Sequence, residues 1–149
     1  MDISTELFDK KNVLLGLGDG GAHYGMICDA AYPTFLLTEF VRKGSQGYRM
    51  PVEQAVQMLT RQPAEALGLT DRGLLKEGHK GDLNVIRLDH LELRAPAVKR
   101  DLPSGGRRLT QDATGFEATA VSGVITYRNG QPTGRLPGRL VRGAQTVAA

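Results

Sequence analysis

One short stretch of this 149-residue chain, Gly16-Leu17-Gly18-Asp19-Gly20-Gly21-Ala22-His23, gathers residue types that could do chemistry. It supports two sharp readings. Gly16-Leu17-Gly18-Asp19-Gly20-Gly21 has the form G-x-G-x-x-G, in which glycines let the backbone approach a pyrophosphate at a helix N-terminus. Against that, Asp19 places a negative charge in the loop meant to hold a diphosphate. No second strand ends in an acidic residue about 20 positions on, since Glu39 lies in a helical pattern. In the other reading Asp19 is the working group. A carboxylate just past a buried strand stands where α/β folds put their reacting residues. There it can accept a proton from an activated water, pass it to a leaving amine, or ligate a metal. Gly20 and its glycine neighbours would leave room for a ligand, and His23 could touch substrate or metal. Spacing alone leaves open that Asp19 caps a turn and His23 is a surface residue.

The remaining reactive side chains are few. Cys28 is the single cysteine, which excludes an intramolecular disulfide; with no base beside it, it reads as a plain thiol. His79 and His90 read as polar surface residues. Charge is uneven: residues 1–80 balance at −1 (9 Lys/Arg, 10 Asp/Glu) and residues 81–149 at +4 (10 and 6), giving the net +3. Lys99-Arg100, Arg107-Arg108, Arg135, Arg139 and Arg142 could contact phosphates. No recognition motif or aromatic platform accompanies them, so a solvated basic surface is expected, with no nucleic-acid partner.

The elements that must carry these groups follow from pattern. Residues 12–18 read as a short strand buried on both faces, because Val13-Leu14-Leu15 is a continuous apolar run. A helix is expected over 33–42. A clearer one covers 51–60, where Val52, Ala55, Val56 and Leu59 form one face and Pro51 takes the first position. Pro63 opens a shorter helix that Gly68 stops. Beyond Gly68 the pattern turns to strands at 82–88, 116–121 and 124–127, the last two joined in a hairpin at Ser122-Gly123, with a second tight turn at Asn129-Gly130. The fold class is α+β, with residues 1–68 as α/β material and 69–149 as a β-rich unit. The apolar content of 40% fits a globular chain. The acidic start lacks the pattern of a signal peptide and no run approaches the ~20 residues of a membrane span, so a cytoplasmic protein without membrane contact is expected. A complete (β/α)8 barrel needs roughly 200–250 residues and cannot fit.

Gly16 to His23, followed by Cys28-Asp29-Ala30, resembles the last barrel strand of amidohydrolases of the D-aminoacylase (N-acyl-D-amino-acid deacylase) type. The likeness continues in order. Val52-Glu53-Gln54-Ala55-Val56-Gln57-Met58-Leu59-Thr60-Arg61-Gln62-Pro63-Ala64 is similar to the helix pair after that strand. Asp71-Arg72-Gly73-Leu74-Leu75-Lys76-Glu77-Gly78-His79-Lys80-Gly81-Asp82-Leu83-Asn84-Val85 resembles the return into a small β-sandwich. Asp101-Leu102-Pro103-Ser104-Gly105-Gly106-Arg107-Arg108-Leu109 resembles a late segment of these deacylases, and Val121-Ser122-Gly123, Asn129-Gly130 and Thr133-Gly134-Arg135-Leu136-Pro137-Gly138-Arg139-Leu140 resemble their end.

The resemblance implies the last β/α unit of a TIM barrel (1–68) followed by a β-sandwich (69–149). It implies a metal-dependent hydrolase of non-peptide C–N bonds acting on an N-acylated amino acid or related amide. Zinc or a similar divalent metal is the implied cofactor, though this chain itself could bind none. Asp19 is the implied catalytic proton shuttle and candidate metal ligand, with His23 and Gly20 on the substrate side. The family's H-x-H pair, bridging Lys or Cys and further histidines have no counterpart among His23, His79 and His90. The chain therefore reads as a C-terminal fragment, inactive alone. Unpaired sheet edges would favour a homo-oligomer or a complementing N-terminal part. A non-catalytic assembly or regulatory module derived from an amidohydrolase is the alternative.

Overall fold

The computed structural model describes residues 3–16, 18–20, 23–26, 28–45 and 47–142. Leu17, Gly21 and Ala22, which belong to the expected strand and glycine turn, lie outside the described residues. Helices fill the first half: α1 (Ile3–Leu7), α2 (Tyr32–Phe35) running directly into a π-helical segment (Leu36–Lys43), α3 (Val52–Leu59) and α4 (Arg61–Ala66). Among the described residues the strands follow: β1 (Leu83–Ile86), β2 (Glu92–Leu93), β3 (Ala97–Lys99), β4 (Arg108–Thr110), β5 (Ala113–Thr114), β6 (Phe116–Val121), β7 (Val124–Arg128) and β8 (Gln131–Pro132). No helix among the described residues is long and apolar enough to cross a membrane.

The strand expected over 12–18 does not form in the described part of that stretch. Val13 to Gly16 runs without ladder partners; Leu14 is 54% exposed while Leu15 packs on the core. A parallel strand exists only through its neighbours' hydrogen bonds, and its apolar run cannot supply them. Helix α3 forms where expected, yet its buried face is Ala55 and Met58, with Val52 and Val56 turned outward at 39% and 48% exposure. Met58, outside the expected face, buries with Ala55, while Leu59 of that face packs against the core. Pro51 precedes the helix with extended backbone (φ −58°, ψ 140°) instead of opening it. Gly68 ends α4 as expected. At φ +67° it lets its own amide reach Glu65 O (3.0 Å) and the Leu69 amide reach Ala64 O (2.8 Å), a Schellman closure that satisfies two terminal carbonyls.

Strand pairing is antiparallel throughout. β1, β6, β7 and β8 make a four-stranded sheet in that order, and β2–β5 and β3–β4 make two short ladders. The β6–β7 turn places Ser122 and Gly123 both at positive φ (51° and 77°), the two left-handed residues that match strand twist in a tight hairpin. The two ladders continue the β1–β6 pairing outward. Arg87 N bonds Gly115 O and Arg94 N bonds Asp112 O, each at 2.8 Å, so residues 83–99 run against 108–121 as one interrupted hairpin ending in an arm. The core lies where this hairpin meets the helices. Leu36, Leu37, Val41, Met50, Ala55 and Met58 bury with Leu91 of the β half, and Ile86, Leu88 and Phe116 pack on them.

Candidate functional site

Asp19 sits in an exposed loop whose path is fixed by a second segment. Its backbone amide donates to Asp29 Oδ2 at 2.8 Å. The glycines on either side allow this approach. A Cβ on Gly18 would stand 2.9 Å from Asp29 O, and one on Gly20 would stand 2.5 Å from Ala30 Cβ. Real side chains essentially never tolerate such distances, so 18–20 can lie along 29–30 only without them. Asp29 is held in turn by the first helical residue beyond it, as Tyr32 N bonds Asp29 O at 3.0 Å. The carboxylate of Asp29 is thus spent on positioning, and that of Asp19 faces solvent.

His23 begins a turn closed by Met26 N to His23 O at 2.8 Å and holds a left-handed φ of 50°. Its ring is exposed, and among the described residues no hydrogen bond joins it to Asp19. Gly20 lies beside Ala30 as a spacing residue. The loop's far side is tied down by the β half, since Leu109 N donates to Tyr24 O at 2.6 Å. Sequence reasoning missed Asp29 and Tyr24 as parts of the site. The acidic residue in Cys28-Asp29-Ala30 was the available signal for the first; the second acts through its carbonyl, which no side chain announces.

The other reactive groups fall elsewhere. Cys28 is a half-buried free thiol. His79 is half-buried, with its Nδ1 enclosed and without a partner among the described residues; it is not the surface residue expected. His90 is exposed, 4.0 Å from Asp89. A cleft of about 510 Å³, not anticipated from sequence, opens in the β half between Arg87, His90, Glu92, Arg94, Thr114 and Asn129, with Arg87 paired to Glu117 at its wall.

A divalent metal would need several convergent donors, commonly three protein ligands at a catalytic zinc. Among the described residues no three His, Cys, Asp or Glu side chains gather to hold one. Asp19 offers a single carboxylate, and His79 and His90 belong to other parts of the fold. The described residues do not fit a metal centre by themselves.

The basic residues are also partly accounted for. Lys99 reaches both oxygens of Asp112 (3.0 and 2.8 Å), and Arg108 grips Asp101 with two bonds of 2.7 Å. These pairs neutralise two of the cations that a phosphate backbone would use.

The family model described as amidohydrolase family matches residues 4–133. Over 105 residues the chain is 33% identical to the alpha-D-ribose 1-methylphosphonate 5-triphosphate diphosphatase of Escherichia coli (strain K12), covering 54% of this chain and 28% of that protein. Over 119 residues it is 29% identical to the dihydroorotase of Lactobacillus acidophilus (strain ATCC 700396 / NCK56 / N2 / NCFM), covering 76% of this chain and 26% of that protein. The chain thus spans about a quarter of the length of these curated relatives. No solved structure matches.

Proposed function

The chain belongs to the amidohydrolase family, and on that premise we propose that it is the C-terminal part of a metal-dependent hydrolase of non-peptide C–N bonds, of the N-acyl-D-amino-acid deacylase kind. Residues 1–68 would be the end of its barrel and 69–149 its sandwich. The observation that carries this reading is the clamped loop: an exposed carboxylate, Asp19, whose backbone is fixed by Asp29 and by glycines no other residue could replace. Such a group can take a proton from an attacking water and deliver it to the leaving amine nitrogen. His23 and Gly20 would flank the substrate. The metal ligands would come from residues this chain does not contain, which leaves the chain inactive alone.

The surface supports the need for a partner. Leu14, Val56 and Leu67 are 54%, 48% and 73% exposed on the helical half. A complementing N-terminal part or a second copy would cover them, in a cytoplasmic setting and without nucleic acid or membrane.

The test begins with elemental mass spectrometry on the purified chain and its Asp19→Asn variant, where we expect no stoichiometric zinc in either. It continues with amine release from acidic, neutral and aromatic N-acyl-D-amino acids. This is measured on the chain alone and on the chain joined by a co-purifying polypeptide that carries an H-x-H pair. Hydrolysis by the pair, lowered about 10²–10⁴-fold by Asp19→Asn, is the expected result. Hydrolysis that survives Asp19→Asn overturns the role of Asp19. One zinc per chain, indifferent to the variant, overturns the assignment of the metal site to another polypeptide.

A further inference from the structure

The loop carrying Asp19 is gripped at both ends. Asp29 holds the near end; the far end is held by the tip of the β arm, distant in sequence. Leu109 sits in β4 opposite Val98, and its amide points away from β3 to the open margin, where it meets Tyr24 O at 2.6 Å. A backbone bond of this kind depends only on where the strand lies, so whatever places β4 places Tyr24.

Backbone bonds and one ion pair span the tip. Leu102, Pro103 and Gly106 close it through Leu102 N to Gly106 O and Gly106 N to Pro103 O, both at 3.3 Å. Asp101 and Arg108 lock across it, with Nε and Nη2 each 2.7 Å from a carboxylate oxygen, the bidentate geometry that fixes a guanidinium in plane. The hydrogen bond and charge of Asp101 hold Arg108 in its charged form. Lys99, opposite Arg108 at the end of β3, pairs with Asp112 at the surface, and Val98 beside it is 61% exposed.

We propose that the arm formed by β3 and β4 positions the Asp19 loop through the Leu109–Tyr24 bond, with Arg108, fixed by Asp101, as the positioning residue. The segment from Asp101 to Leu109 thereby gains a role beside the site. Its importance for catalysis rests on the reading of Asp19 given above, whereas the docking itself does not.

The experiment uses the isotope-labelled full chain in solution NMR. Arg108→Met and Asp101→Asn should each speed exchange of the Leu109 amide at least tenfold and move the Asp19 and Tyr24 amide signals. Arg108→Lys, which keeps the charge without the two-bond fork, should restore only part of the loss, and the exchanged pair Asp101→Arg with Arg108→Asp should restore more than either single change. Arg87→Met, which breaks the Arg87–Glu117 ion pair at the other end of the interrupted hairpin, should leave the loop signals in place; this separates docking from general loss of fold. If the Asp19 and Tyr24 signals ignore Arg108→Met and Asp101→Asn, or follow Arg87→Met equally, the proposal is overturned. If the loop follows the tip while the reconstituted hydrolase ignores Asp19→Asn, the docking stands and the reading of Asp19 fails.

Discussion

Gly115 joins β5 to β6 beside the buried Leu91, and replacing it with alanine tests a close approach to fixed backbone. Its φ is +95°, outside even the left-handed helical well, so an L side chain there costs about 1–3 kcal/mol in backbone strain. The added Cβ would also stand 2.7 Å from Leu91 Cα, 2.8 Å from Leu91 N and 2.9 Å from His90 O. All three are backbone atoms, unable to swing aside, and Leu91 is fully buried. Overpacking of this kind costs about 1–3 kcal/mol more. The two contributions together come to about 2–6 kcal/mol, a large share of the roughly 5–15 kcal/mol that holds a typical domain folded. Gly130→Ala is the comparison: φ is +75°, yet nothing lies within 4 Å of the new Cβ, so only the backbone cost of about 1 kcal/mol remains. Urea titrations followed by far-ultraviolet circular dichroism, with equal m-values required, measure both. A Gly115→Ala midpoint no lower than that of Gly130→Ala would refute the steric argument and with it the registration of β6 against Leu91.

Three further outcomes are expected. Leu91→Ala, at a site with no solvent exposure, should cost about 2–5 kcal/mol in the same titration, since it empties the junction between helices and strands. Gly20→Ala should push 18–20 off Ala30 and break the Asp19 N to Asp29 bond, seen as faster exchange of the Asp19 amide, with a stability loss of only about 1–2 kcal/mol because the loop is exposed. The Asp71 carboxyl is held below the usual carboxylate range, first by its hydrogen bond from Arg72 and then by the charges of Arg72 and Lys80. A lowered folded pKa stabilises above the ordinary value of about 3.9 and is lost as pH falls through the lowered one. The stability gap between wild type and Asp71→Asn should therefore be widest near neutrality and close in acid.

How much was legible follows from where each signal resides. The end of α4 at Gly68 and the β6–β7 hairpin with Ser122-Gly123 are local structures, determined by residues a few positions apart, and both appear where pattern places them, although α4 starts at Arg61, two residues before the Pro63 expected to open it. The run at Val13 misled because the partners of a parallel strand are encoded elsewhere. The arm went unseen for a related reason: Glu92, Lys99 and Arg108 break any apolar alternation, and the pairing rests on charge and backbone bonds. At the candidate site, Asp19 and its glycines were readable from type alone. Tyr24 was not, because its part is played by a carbonyl oxygen that every residue possesses.

Pro132 bears on how this sheet can grow. Thr133 N turns inward to Thr126 O at 2.9 Å, so the nitrogen one residue earlier faces the open margin of β8, and as a proline it carries no hydrogen to offer. That margin is closed to another strand at its centre, whereas Leu83–Ile86 on the opposite side keeps its outward amides. Growth of this four-stranded sheet by strand addition is therefore one-sided. Two copies meeting β1 to β1 about a twofold axis would consume the receptive margin of this sheet in each, and the sheet itself would stop at a pair.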